Sequence, residues 1–332
     1  MNFDPLSPMY GAVVGARNAL YDHHILRSRS LQGSVISVGN LSTGGSGKTP
    51  FVILLGELLK ARGIPFDVLS RGYGRKTRGA LIVDPGGLPR DFGDEPLLIA
   101  RRLNVPVVVG ESRYDAGRLA EAKFGPQIHL LDDGFQHRRL ARDFDIVLVT
   151  PDDARDRLLP AGRLREPLRS LQRADAVVLT SGAAPEAFPL AGRIVWRLRR
   201  GIVSPGELNT PARPVVFCGI ARPQNFVLQL RAAGIDPVAQ ASFRDHHAYT
   251  EKDIRDLLQL RQRSEAGGFI TTEKDAVNLG GYLTALAHLT VIPVKMELAD
   301  AANAVDTMLR VIEERHGVRE KMPQRAAGRQ SG

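Results

Sequence analysis

The stretch Gly39-Asn40-Leu41-Ser42-Thr43-Gly44-Gly45-Ser46-Gly47-Lys48-Thr49 constrains the fold more than any other part of the chain. It follows a β-rich segment, Ser34 to Val38, and opens a helical one, Thr49 to Arg62, which is the context a phosphate-binding loop requires. Glycines permit a tight turn and close approach of a phosphate, N–H groups at the helix start point at the anion, and Lys48 adds a point charge. Thr49 offers a hydroxyl to Mg²⁺. Gly44, Gly45, Ser46, Gly47, Lys48, Thr49 and Pro50 are therefore the expected contacts of a nucleoside triphosphate. The usual first glycine of this motif would fall at position 42, where the chain has Ser42, so the loop reads Gly-Gly-x-Gly-Lys-Thr. Nucleotide-switch ATPases that dock on membranes share that form, commonly with a lysine where this chain has Thr43.

The segment after the loop helix, Phe66 to Leu69, is again apolar and extended and completes a βαβ unit. Short apolar runs follow at 81–83, 106–109, 128–131, 145–149 and 176–179, with helical stretches at 95–103 and 113–123 between some of them. This alternation predicts an α/β fold, a P-loop NTPase-like α/β/α domain with a mostly parallel sheet covered on both faces. The Gly- and Pro-rich segment 201–214 reads as a linker, and alternation restarts at Val215. With 332 residues, two domains are expected. The predicted division is an amphipathic helix within residues 1–30, a P-loop domain at 31–205 and a second, smaller α/β domain at 206–300. A C-terminal helix at 301–318 and a disordered polar tail at 319–332 complete it.

The composition narrows the partners. Forty-five basic residues against 36 acidic ones give a formal charge of +9, which favours anionic partners. Aromatic residues make up only 6%, with no basic-aromatic interleaving, so nucleic acid is not expected. A lone cysteine, Cys218, excludes an intrachain disulfide framework; inside Val215-Val216-Phe217-Cys218-Gly219 it reads as a small packed hydrophobe in a reducing compartment. No run reaches the ~18 apolar residues of a membrane-spanning helix, and no basic leader precedes an apolar run. Residues 3–26 instead space Leu6, Met9, Tyr10, Val13, Leu20 and Ile25 helically ahead of Arg27 and Arg29. That pattern suits either packing on the chain's own body or an anionic membrane interface.

A P-loop also needs an acid at the end of a neighbouring strand to hold the metal, and Ile128-His129-Leu130-Leu131-Asp132-Asp133 supplies it. Further segments are Ser70-Arg71-Gly72-Tyr73-Gly74-Arg75, Gly93-Asp94-Glu95-Pro96, Asp132-Asp133-Gly134-Phe135-Gln136-His137, Leu159-Pro160-Ala161-Gly162 leading to Arg165-Glu166-Pro167, Phe243-Arg244-Asp245-His246-His247 and Thr271-Thr272-Glu273-Lys274-Asp275. Together, in this order, they resemble the tetraacyldisaccharide 4′-kinases of lipid A synthesis.

The resemblance implies transfer of the γ-phosphate of ATP, with Mg²⁺, to the 4′-hydroxyl of a tetraacyldisaccharide 1-phosphate. It implies Asp94 as the base with His246 in support, and Thr49, Asp132, Asp133 and Glu166 around the metal. Arg71, Tyr73, Arg75 and Arg113 are expected at the substrate. The N-terminal helix would place the enzyme, as a peripheral protein, on the anionic cytoplasmic face of the bacterial inner membrane, and a monomer is expected. Use of Asp94 with His246, which lies beyond the linker, requires the two domains to close over the substrate.

Overall fold

The computed structural model describes residues 6–202 and 208–321, with side chains to residue 316. Helix α1 (Leu6–Asp22) lies within the predicted span. Strand β1 (Val35–Asn40), helix α2 (Lys48–Ala61) and strand β2 (Phe66–Ser70) form the expected βαβ unit. The chain continues through β3 (Leu81–Ile82), α3 (Pro89–Phe92), α4 (Asp94–Leu103), β4 (Val107–Val109), α5 (Arg113–Phe124), β5 (Ile128–Asp132), β6 (Phe144–Val149), β7 (Ala176–Thr180) and β8 (Ile194–Ile202).

With β13 (Val294–Leu298), these strands build one sheet in the order β13-β8-β7-β6-β1-β5-β2-β4-β3 among the described residues. It is parallel except at its two edges, where β3 and β13 run antiparallel to β4 and β8. The central strands are largely apolar because each buries both faces, with Asp67 of β2 and His129 of β5 paired at 2.8 Å. Ile36, Val38, Leu130, Ile146 and Val178 pack under α2 and α4 through Phe51, Leu55, Leu59, Leu97 and Ile99. On the other face Val35, Leu69 and Leu131 meet Ala116 and Ala120 of α5, and Val147, Val149 and Val177 meet Phe135 and Leu164. Each of the Val, Leu, Ile and Phe side chains contributes about 1.5–3 kcal/mol on burial.

A second, all-parallel sheet has the order β10-β9-β11-β12, with β9 (Val215–Cys218), β10 (Ala239–Ser242), β11 (Phe269–Thr272) and β12 (Leu289–Ile292). Helices α6 (Pro223–Ala232), α7 (Glu251–Arg263) and α8 (Glu273–Leu279) accompany it. Cys218 is 2% exposed in its core, and burial, aided by Asp275, pushes its thiol up to about 12, as suits an inert packed residue.

One boundary differs from the sequence reading. Strand β13 was assigned to the smaller unit by the 206–300 limit, but it pairs with β8 in the large sheet, from Val294↔Ile202 to Leu298↔Leu198. Helix α9 (Ala301–Lys321) follows it back and packs Val305 and Met308 into the large core. Residues 203–207 of the linker and 322–332 of the expected tail lie outside the described residues. Among the described residues no helix is long and apolar enough to cross a membrane.

Candidate active site

Loops at the carboxyl ends of both parallel sheets face one cavity of about 1440 Å³. In open α/β sheets this is the edge at which ligands bind. From the large sheet come the loop after β1, Arg71 after β2, Asp132 at the end of β5 and Thr150 after β6; from the small sheet come Arg222, His246 and Lys274 after β9, β10 and β11.

The loop after β1 turns through Gly44, Gly45 and Gly47 at φ 74°, 63° and 84°, backbone conformations that side-chain-bearing residues rarely adopt. Gly47 precedes the first residue of α2, so the unpaired N–H groups of the first turn open toward the cavity. Lys48 Nζ donates to Asn40 Oδ1 at 3.0 Å and lies 3.6 Å from Asp133 Oδ1. Strand β5 is the immediate neighbour of β1, with Val38 opposite Asp132, which sets the acidic pair beside the loop. Gly39 permits the close approach of the following turn: a Cβ there would sit 2.5 Å from Phe135 Cβ.

The two adjacent carboxylates have opposite environments. Asp132 accepts from Ser70 Oγ at 3.3 Å through Oδ2, while its buried Oδ1 has no partner. Burial, with Glu95 and Asp133 nearby, pushes its carboxyl up to about 7 against the pull of Lys48. Asp133, at φ 49°, receives two hydrogen bonds from Arg165, at 2.8 and 3.0 Å. Burial opposes its ionisation, but Lys48 and Arg165 outweigh it and hold the carboxyl well below the usual range. Asp132 Oδ1 and the equally unpartnered Ser46 Oγ are donors that suit a hard cation bound together with phosphate. Among the described residues no group of three or more His, Cys, Asp or Glu side chains could hold a metal unaided. Mg²⁺ takes one or two carboxylates and completes its shell with phosphate and water.

Asp94 opens α4, one residue past a Gly93 N-cap at φ 92°. It is 5% exposed, and both its oxygens meet His246 Nδ1, at 2.9 and 3.0 Å. Asn278 Nδ2 donates to Oδ2 at 3.1 Å, and the Glu95 N–H donates to Oδ1 at 2.9 Å. Asp94 therefore also engages the helix start. Burial would raise its carboxyl, but the His246 hydrogen bond and the Lys274 charge hold it below the ordinary range. His246 is raised in turn: burial opposes protonation and Asp94 favours it more. His247 is turned away, its Nε2 3.0 Å from Asp253 and its ring stacked on Phe243.

The remaining expected residues divide. Arg71 and Tyr73 line the cavity, the Tyr73 ring 5.2 Å from that of His246. Arg75 is instead tied to Glu111 at 2.7 Å and Gly79 O at 2.6 Å. Arg113 is buried against the carbonyls of Gly110 and Glu111, and burial, then Arg71, lowers it to about 10. Neither forms part of the cavity wall. Glu166 departs furthest from expectation: it is fully buried, receives Arg173 at 2.7 and 3.2 Å and Asn18 of α1 at 2.7 Å, and faces no open donor site. Through Asn18 it holds the N-terminal helix, while its neighbour Arg165 points the other way, onto Asp133. Arg165, Arg222, Lys274 and Asn278 were given no role by sequence reasoning. Arg222 pairs with Asp152 at 2.9 Å and lies against Gly45.

A glycine-turned anion loop at the carboxyl end of a parallel sheet, an adjacent strand-end acid and a hydrogen-bonded carboxylate opposite define a P-loop phosphotransferase. The sequence matches the family described as tetraacyldisaccharide-1-P 4′-kinase over residues 2–313. It is 51% identical over 321 residues to the tetraacyldisaccharide 4′-kinase of Koribacter versatilis, covering 95% of this chain and 100% of that protein. The Aquifex aeolicus tetraacyldisaccharide 4′-kinase is 39% identical over 292 residues, covering 84% and 89%. The crystal structure of "apo" form LpxK from Aquifex aeolicus in complex with ATP superposes with a TM-score of 0.77 at 36% identity, covering 93% of this chain and 98% of that one. The chain belongs to the tetraacyldisaccharide-1-P 4′-kinase family.

Proposed function

We propose that the cavity between the two sheets binds ATP and the sugar end of a tetraacyldisaccharide 1-phosphate, and that Asp94 accepts the 4′-hydroxyl proton as the γ-phosphate is transferred. The observation that carries this reading is the convergence, on one cavity, of the Lys48 loop and the Asp94–His246 pair from opposite sides. Phosphoryl transfer passes through a loose transition state, so positioning and charge neutralisation dominate catalysis. Residues 44–50 cradle the phosphates by backbone N–H groups, and Lys48 exchanges Asn40 and Asp133 for phosphate oxygens. Thr49 and Asp132 would hold Mg²⁺, with Asp133 free to join if Arg165 yields, and the ion would supply charge neutralisation at the phosphates. Arg71 and Tyr73 stand where they can meet the sugar or its 1-phosphate. Closure of a P-loop domain over a smaller domain excludes water from the transfer.

Helix α1 suits a peripheral position on the cytoplasmic face of the inner membrane. Its inner side is held by Ser7 to Leu158 O at 3.0 Å, Tyr10 to Arg165 O at 3.1 Å and Asn18 to Glu166, while Met9 and Val13 are 62% and 64% exposed. Such an apolar outer stripe, followed by Arg27 and Arg29, matches an anionic lipid interface entered by a single copy of the chain. The test uses γ-labelled ATP, Mg²⁺ and detergent-dispersed tetraacyldisaccharide 1-phosphate. Label appearing in the lipid is expected; label released only as free phosphate, stimulated by bare anionic vesicles, would replace this reading with a membrane-docking ATPase.

A further inference from the structure

The segment Thr271-Thr272-Glu273-Lys274-Asp275 spans the end of β11 and the first turn of α8, and Glu273 and Lys274 reach across to the large sheet. Glu273 pairs with Arg102 of α4. Lys274 Nζ lies 3.1 Å from His246 Nε2, 3.0 Å from Asp245, 3.5 Å from Glu95 and 3.9 Å from Asp94. Asp275 is fully buried behind them, receiving the Gly219 N–H at 2.7 Å and the Tyr249 hydroxyl at 2.9 Å.

The contact between Lys274 and His246 restricts where protons can be. Two N–H donors cannot face each other at hydrogen-bond distance, so one of the two nitrogens must offer a lone pair. Either an ammonium donates to a neutral imidazole or an imidazolium donates to a neutral amine. Asp94, Glu95 and Asp245 surround Lys274 and keep it an ammonium, which leaves the lone pair on His246 Nε2. The ring proton then sits on Nδ1, aimed at Asp94. The groups facing the imidazole are Asp94 from α4, Tyr73 from the loop after β2, and Asp245 and Lys274 from the small sheet.

We propose that Lys274 is a positioning residue that holds His246 as the neutral Nδ1–H tautomer, so that Asp94 faces a hydrogen-bond donor rather than a full positive charge. An imidazolium beside Asp94 would stabilise the carboxylate further and weaken it as a base; a neutral donor orients it and leaves it stronger. The proton taken from the hydroxyl then stays on Asp94 until solvent removes it, and His246 keeps its own. This inference rests on Asp94 as the base, but its readout needs no turnover. The structure also gives α8 a function: Glu273, Lys274 and Asn278 carry the small sheet's side of the contact to α4.

The test is ¹⁵N NMR of the His246 ring in the full chain, without substrates, across pH, for wild type, Lys274→Met and Lys274→Arg. Wild type at pH 8 is expected to show one protonated nitrogen, Nδ1, and one pyridine-like nitrogen. In Lys274→Met the His246 titration midpoint rises by about one pH unit or more, and kcat falls about 10- to 100-fold with KM for ATP unchanged. Lys274→Arg keeps the cation and returns the midpoint most of the way toward wild type. A doubly protonated His246 in wild type at pH 8, or a midpoint unmoved in a folded Lys274→Met, overturns the proposal. Label transfer to lipid by the same preparations separates this failure from failure of the kinase assignment.

Discussion

The two halves of the cavity are built by different means. The phosphate half is made from contiguous backbone: a loop between β1 and α2 whose geometry is set by Gly44, Gly45 and Gly47, with the acids one strand away. The proton half is made from side chains that meet across two sheets, Asp94 from α4 against His246, Lys274 and Asn278. Backbone holds its shape whether or not the sheets move, whereas the Asp94 cluster exists only while they stay together. Nucleotide binding and proton removal should therefore be separable by mutation.

Lys48→Ala attacks the phosphate half and has the largest expected effect. Loss of its charge costs about 10³-fold in turnover and weakens ATP binding itself, measured by titration calorimetry. Glu166→Ala touches neither half and sharpens the comparison from outside. It leaves Arg173 and Arg17 without their buried partner and is expected to lower unfolding stability by about 3–5 kcal/mol in denaturant melts. Asn278→Ala removes one donor from Asp94 and should reduce kcat about 10-fold with ATP affinity unchanged, read from steady-state kinetics.

A smaller effect follows from Asp132, whose carboxyl is pushed up to about 7. A proton there competes with a cation. The Mg²⁺ concentration giving half-maximal rate should rise as pH falls below about 7 and level off above it. Asp94, held below the ordinary range, stays ionised over that window and adds no limb of its own.

The phosphate half was legible in the sequence because its residues are local: a strand, a glycine loop and a helix in one stretch, then an apolar run ending in Asp132 and Asp133. The central strands were legible for a related reason, since two-face burial makes them largely apolar runs. Strand β8 was not, because as the next-to-edge strand it alternates Arg197 and Arg199 with buried Trp196 and Leu198. Strand β13 pairs with it from far along the chain and was assigned to the wrong unit. Glu166 showed the same limit at the site. The resemblance puts it near the metal, but its side chain turns away from that of its neighbour Arg165 and pairs with Asn18, 148 positions away. The Asp94–His246 contact, 152 positions apart, was anticipated through the family resemblance, and the Lys274 contact was not, since nothing local in its segment signals the cross-sheet meeting.

The measurement that tests this separation most directly is Asp94→Asn, assayed for ATP affinity and for transfer of γ-label to tetraacyldisaccharide 1-phosphate in the same preparation. The expected result is wild-type ATP affinity with label transfer to the lipid lost. Transfer at the wild-type rate, or ATP affinity lost together with transfer, would contradict the division of the cavity into a phosphate half and a proton half.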